Sequence, residues 1–587
     1  MSFRSPPRLR GRDPREGAVI AELSPTARAA IDSAVADLAE GERSWAAQSL
    51  TQRRHLLTQV RDRLRTRSAE WVRVAAGYKG LGADSPLVGE EWMSGPYALA
   101  TSVNALIGTL ERLAHGESPL TGATFGKASG RTTVDVLPLS GYDRLLLNGF
   151  RAQVWLRPGV GSAAAHADAG LAQRNPQATD GVAAVLGAGN ITSIAPLDVL
   201  YQLFAHNRVV ALKVNPVTEP LLEVLTGVLG PLIDLGVVRI LTGGPAAGDY
   251  LVRHSRVGHV HMTGSAATHD AIAWGVGADA QRRKAAGTPL LDKPISSELG
   301  GVSPTIVLPG RWTRADLRFQ AEHIATQRLH NGGYNCVAAQ TVLVSADWPQ
   351  RTEFLAALSD AIDRAPARPA YYPGSDGRVA AARAAHPDAV ALGPDRGRLL
   401  VADVGADDPV VTTEYFAPVL GVVELPGLGP DFARAAADFA NDALVGTLGA
   451  NIIARPDTIT ELGGEFDTLV AGLRYGTVAV NAWTAVGYLT PTATWGAFPG
   501  HTLDDVQSGI GVVHNALLID NTERTVVTGP FRPSPRSLLN REWAISPKPP
   551  WFVSNRTAAR TGRRLTEFAV APGPHRLPGI FASALRG

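Results

Sequence analysis

The chain has 587 residues, is 45% hydrophobic and 19% charged, and carries a formal net charge of +2. That length exceeds one ordinary core and suits two or three domains, while the near-neutral charge argues against a dedicated nucleic-acid or membrane-surface binder. One cysteine excludes an intrachain disulfide framework and a multi-cysteine metal site, which suits a cytoplasmic protein.

Residues 1–19, with their prolines and arginines, read as a disordered basic arm with no apolar core of a secretory leader. No apolar run reaches the roughly 18 residues of a spanning helix. From 24 to 115 the chain reads as helices. "SPTARAAIDSAVADLAE" opens on a candidate serine cap, and "RRHLLTQVRDRLRTRSAEWVRVAAGY" spaces its apolar residues by three and four. Residues 118–160 change to β-branched and turn residues and predict strands. From 180 to 310 short apolar strands alternate with helices, which implies a parallel sheet with crossover helices. A second α/β stretch runs from about 302 to 475, strands and turns return over 476–515, and 516–587 is a Pro- and Arg-rich extension.

Four motifs carry chemistry. In "HNGGYNCVAAQ" the lone Cys336 follows a glycine turn and precedes a helix or strand start. At a helix N-terminus such a thiol gains thiolate character, and otherwise it is a buried structural cysteine. In "SSELGGVSPTIVL", Glu298 leads a Gly-Gly turn into a strand, where a confined carboxylate can serve as a general base or sit as an ordinary loop residue. A second "ELGG" at 461–464 lacks the following strand. Asn190 in "VLGAGNITS" occupies a strand-to-helix turn, where its amide can stabilise an oxyanion or cap the helix. Lys213 ends the next strand and is one of only six lysines (79, 127, 213, 284, 293, 548). Gly264 and Ser265 in "HVHMTGSAATHDAI" join a strand to a helix, a truncated phosphate-binding turn.

In this order the motifs resemble the aldehyde dehydrogenase superfamily over roughly residues 25–515. Glu298 precedes Cys336 by 336 − 298 = 38 residues, close to the family spacing. "TEYFAPVLGVVEL", "NDALVGTLGANI" and "VNAWTAVG…SGIG" match further segments. The resemblance implies an α/β fold with three parts: a Rossmann-like dinucleotide-binding domain (20–117 and 151–297), a second α/β catalytic domain (298–477), and a small β oligomerisation module (118–150 and 478–515). It implies NAD(P)-dependent oxidation of a small-molecule aldehyde to a carboxylic acid, with no nucleic acid, membrane span or metal, in a homodimer or homotetramer. Cys336 would be the nucleophile, Asn190 the oxyanion donor and Glu298 the base. Lys213, Gly264, Ser265, Leu299, Glu414 and Phe416 would hold NAD or NADP.

The chain departs from the family pattern at Ala188-Gly189, where Pro-Trp is usual, at Pro216 for an acidic residue, at His269 for a glycine, at Tyr334 for a glutamine, and at Ala417 for a glycine. "GAGN" is closer to fatty acyl-CoA reductases, so a CoA-linked acyl reductase is the second reading and a non-catalytic relative the third.

Overall fold

The computed structural model describes residues 23–587, so the expected arm at 1–19 lies outside the described residues. Two long helices open the chain, Pro25–Ala46 and Leu50–Tyr78. Ser24 accepts from the Ala27 N–H, and Ser49 closes a reciprocal capping box with Gln52. Caps of this kind each contribute about 1 kcal/mol. Leu57, Val60, Leu64, Trp71 and Ala75 form the fully buried stripe of the second helix, the spacing that the sequence predicts.

These helices and Ala98–Ala114 pack with a six-stranded sheet in one core. Its five longer strands are parallel, in the spatial order Ile295–Leu299, Val257–Gly264, Val182–Leu186, Val209–Lys213 and Val238–Leu241. The connections run one way from Val182–Leu186 and then the other. This leaves a topological switch point between Val182–Leu186 and Val257–Gly264, and a crevice opens at the carboxyl ends of strands at such a point.

Glu298 lies in the last parallel strand of this sheet. Gly300 and Gly301 then carry the chain directly into Ser303–Val307 of a second, eleven-stranded sheet. The glycines are required by close approach. A Cβ at Gly300 would overlap the Glu414 carboxylate, and one at Gly301 would lie 2.9 Å from the Gly446 Cα.

The centre of the larger sheet is parallel, running Thr522–Thr528, Thr477–Val480, Gly449–Ile453, Ser303–Val307, Ala339–Ser345, Val419–Leu425 and Arg398–Val401. The strands of 118–150, expected in a separate module with 478–515, lie in this sheet together with Arg151–Leu156. Phe125–Ala128, Arg131–Leu137 and Arg151–Leu156 are antiparallel and join the chain's own larger sheet through Thr522–Thr528. Gly509–Ile510 instead pairs with Glu298 and Ser297 in the smaller sheet. The segment read as an extension thus supplies an interior strand. It also supplies the helix Ala558–Val570, which packs on Val88–Trp92 so tightly that a Cβ at Gly562 would sit 2.9 Å from the Trp92 Cβ. Among the described residues no helix is long and apolar enough to cross a membrane.

Candidate active site

The sequence motifs converge where the two sheets meet. Cys336 lies in the loop between the helix Arg314–Leu329 and the strand Ala339–Ser345. No helix starts at Cys336, so the helix-dipole activation considered from the sequence is replaced by a different environment. The residues after it enter a parallel strand whose seven residues are all buried. Cys336 is half-buried and packs against the apolar cluster that contains Val337 and Trp483. Burial raises its proton affinity well above that of an ordinary thiol, and the Glu298 and Glu414 carboxylates raise it further.

Glu298 is fully buried, and neither of its oxygens has a nitrogen or oxygen donor. Burial pushes its carboxyl above the usual carboxylate range, partly offset by the Cys336 thiol and reinforced by Asp198. Glu414 is the third acidic group here. Burial pushes it up to about 8, against the pull of Arg328 and Arg378 and with the help of Glu298, and its Oε1 has no partner. Glu298 and the Cys336 thiol are hydrogen-bond partners, and Glu414 reaches the same place, since its carboxylate lies against Gly300, two residues after Glu298.

This geometry sets a stability prediction. The native Glu414 carboxyl keeps its proton to about pH 8, whereas its ordinary value is 4.5. The unfolded chain releases that proton first, so Glu414 lowers stability progressively as pH rises across this window. Glu414→Gln is expected to leave the unfolding midpoint unchanged near pH 4 and to raise it by a few degrees at about pH 8. Thermal melts at both values check it, and equal midpoints at both would refute the burial.

Asn190 lies between the strand Val182–Leu186 and the helix Ile194–His206. Its Nδ2 donates to the Tyr334 carbonyl at 2.9 Å, two residues before the thiol, so it does not cap the helix. Lys213, at the end of its strand, is 9% exposed; burial lowers its proton affinity, and Glu219 is the opposing charge. Glu219 in turn accepts from the Gly243 N–H at 3.1 Å. Glu219 lies three residues after Pro216 in the same turn, Pro216–Leu221. Gly264 ends a strand and Ser265 caps Ala266–Trp274 through its side chain, both exposed at the crevice side of the sheet.

Phe416 adopts a left-handed backbone with φ 45° and lies among Tyr334 and Tyr372 at ring separations of 6.0 and 5.0 Å. Leu299 is buried in the core of the smaller sheet and its N–H donates to the Ser508 carbonyl. The second "ELGG" ends a surface helix, Pro456–Leu462, with Glu461 exposed.

Two buried polar clusters are absent from the sequence reading. Asp198 lies 3.1 Å from the His514 Nε2 and 3.5 Å from the His261 Nε2, and accepts from Thr263 at 3.2 Å. Burial works against its charge, but the two imidazoles hold its carboxyl below the usual range. The other cluster joins Lys79, Glu90, Glu91, Arg368 and Asn331 behind the cysteine loop. Only the scarcity of lysine hinted at the second, and nothing in the linear pattern pointed to the first.

The family model for the aldehyde dehydrogenase family matches residues 163–374. N-succinylglutamate 5-semialdehyde dehydrogenase from Novosphingobium aromaticivorans is 31% identical over 169 residues, 28% of this chain and 32% of that protein. The matched segment spans about a third of the length of the curated relatives. Among solved structures, a Mycobacterium tuberculosis aldehyde dehydrogenase complexed with NAD+ superposes with a TM-score of 0.58 at 18% identity, over 85% of this chain and 90% of its own. An NADP-dependent glyceraldehyde-3-phosphate dehydrogenase from Bacillus halodurans complexed with NADP gives 0.57 at 19%, over 86% and 92%. The matched segment holds Asn190, Glu298 and Cys336, and the likeness in fold extends across both sheets. Residues 163–374 match the aldehyde dehydrogenase family, and the chain as a whole has the fold of the aldehyde dehydrogenases.

Proposed function

We propose that the chain oxidises a small aldehyde to a carboxylic acid with NAD or NADP, using Cys336 as the nucleophile. The observation that carries this reading is the meeting of one thiol, the buried Glu298 carboxylate beside it, the Glu414 carboxylate with one unpartnered oxygen and the Asn190 turn beside the switch-point crevice.

The residues fit a dinucleotide. Glu414 Oε1 is a buried acceptor with no donor, as a ribose-binding carboxylate would be. Gly189 keeps the turn at the crevice narrow, since a Cβ there would lie 2.7 Å from the Asn215 Oδ1. Lys213 and Glu219 supply a cation and a carboxylate at the end of the neighbouring strand. When bound, the nicotinamide supplies a hydride acceptor.

The chain's own residues do the rest. The Cys336 sulfur, after losing its proton, attacks the aldehyde carbonyl and forms a thiohemiacetal. The Asn190 amide and the backbone N–H of Cys336 stabilise the oxyanion. Collapse of that oxyanion would break the former aldehyde C–H bond, giving up the hydrogen as hydride to that acceptor, and leave a thioester on Cys336. Glu298 then takes a proton from water, the hydroxide adds to the thioester, and the acid leaves as the thiolate is restored. A raised proton affinity suits Glu298 to accept that proton near neutral pH.

The test is an assay of the purified chain against a panel of aliphatic and aromatic free aldehydes with each oxidised cofactor, and against acyl-CoA with each reduced cofactor. Aldehyde-dependent cofactor reduction is expected, with NAD favoured because the Glu219 charge, felt at Lys213, would repel a 2′-phosphate. Glu219→Gln is expected to narrow that preference by about tenfold. Turnover of acyl-CoA with no oxidation of any free aldehyde would replace this reading with an acyl reductase.

A further inference from the structure

Behind the cysteine loop lies a charge cluster drawn from four distant parts of the chain. Lys79 caps the helix Leu50–Tyr78 at its carboxyl end and is fully buried. Its Nζ donates to both Glu91 oxygens at 2.9 and 3.0 Å, to the Asn190 carbonyl at 2.9 Å and to the Asn331 Oδ1 at 3.1 Å. Arg368 pairs with Glu90, lies 3.5 Å from Glu91 and donates to the same Asn331 oxygen at 3.1 Å. Glu90 accepts from the Asn331 N–H, and the Tyr371 hydroxyl reaches both the Asn190 carbonyl and the Asn331 Oδ1 at 3.1 Å.

Each asparagine faces two ways. With their oxygens held by the cluster, the Nδ2 groups of Asn190 and Asn331 both donate to the Tyr334 carbonyl, at 2.9 and 3.1 Å. The turn so gripped is left-handed, with Asn331, Gly332 and Gly333 at φ 54°, 71° and 83°. The glutamates are held from outside as well, because Ala558–Val570 of the C-terminal segment packs on their helix, and a Cβ at Gly89 would overlap Ala558. A buried ion pair adds little stability over a well-packed apolar pair, so stability alone is a weak reason to bury these four charges.

We propose that Lys79, Glu91, Arg368 and Tyr371 are positioning residues that orient Asn190 and Asn331 and so hold the Cys336 thiol against its neighbouring carboxylates. The proposal deepens the reading of Cys336 as a nucleophile and rests on it for the effect on turnover. Its structural half is independent, because the lone cysteine makes alkylation of the whole protein a single-site measurement.

The experiment compares the wild type with Lys79→Met/Glu91→Gln, which removes the pair together and strands neither charge, and with Tyr371→Phe, which removes one hydroxyl. Each is treated with iodoacetamide at about pH 8 and well below its unfolding midpoint, and each is assayed for kcat and KM. A released thiol moves away from the carboxylates that raise its proton affinity. Alkylation is therefore expected to accelerate about tenfold in the double variant, while kcat falls about 10- to 100-fold and the KM for the cofactor holds. Tyr371→Phe is expected to move alkylation about threefold in the same direction. A merely structural cluster would lower the unfolding midpoint and leave alkylation of the folded protein unchanged. That outcome overturns the proposal, and Tyr371→Phe alone decides it if the double variant does not fold. Accelerated alkylation in a protein without aldehyde turnover would uphold the positioning and remove the reaction assigned to the site.

Discussion

Replacing Cys336 with alanine is expected to abolish aldehyde-dependent turnover, by about 10⁴-fold or more, while the chain still folds and binds its dinucleotide. The expected size follows from the absence of a substitute. Cys336 is the only cysteine in the chain, and the groups around it are carboxylates and amides rather than alternative soft nucleophiles. Folding should survive because Cys336 is a half-buried residue at the rim of an apolar cluster, where losing one sulfur leaves a small gap. Binding should survive because Lys213, Glu219 and Glu414 are untouched. Turnover and dinucleotide binding by calorimetry, measured on the same preparation, check the result. Retained turnover would eliminate the thioester route altogether.

The sulfur in this site is not primed by default. Burial and two carboxylates raise its proton affinity, so the free protein holds a neutral thiol at physiological pH. Proton removal must then accompany substrate binding. The same surroundings protect the chain's one thiol from adventitious oxidation, since thiolate character governs that reactivity.

Much of this was legible in the sequence, for physical reasons. Strand–turn–helix rhythm located the parallel sheet, and glycines marked the places where backbones meet: Gly300 and Gly301 read as a tight turn and prove to be the passage between the two sheets. The order of the motifs placed Asn190, Glu298 and Cys336 together before any coordinates. What stayed hidden depends on long-range burial. Lys79 meets Asn331 across 252 positions and His514 meets Asp198 across 316, and neither pair has a local signature. Similarly, "TERTVVT" has the β-branched content of a strand, but the proline-rich segments around it made 516–587 look like an appendage. Its place beside Thr477–Val480 depends on tertiary pairing alone. Of the helix or strand start expected after Cys336, the strand forms, for a local reason. The run "AQTVLVS" is β-branched and fully buried, which suits a central parallel strand.

Glu298→Gln is expected to separate the two halves of the reaction. Attack by sulfur and loss of hydride need a positioned carbonyl and an oxyanion site, both of which the amide variant keeps. Release of the thioester needs a base for water, and glutamine offers none at any ordinary pH. Rapid mixing of enzyme, aldehyde and oxidised cofactor should therefore still give a burst of reduced cofactor close to one per site, followed by a steady rate lower by about 10²- to 10⁴-fold. Isolation of the variant during the steady phase should find the acyl group on Cys336. The wild type, if release is fast, should show little burst. The variant also removes a carboxyl that burial strains. Its native proton affinity is raised, so the penalty it imposes grows as pH climbs above the ordinary carboxylate value, and Glu298→Gln should be more stable than wild type at neutral pH but not at pH below about 4. A variant that is both slower in release and more stable is what a functional carboxylate held at a cost to folding predicts. A variant with normal steady turnover would move the base to another group, and the Asp198 cluster with its two histidines would be the place to look.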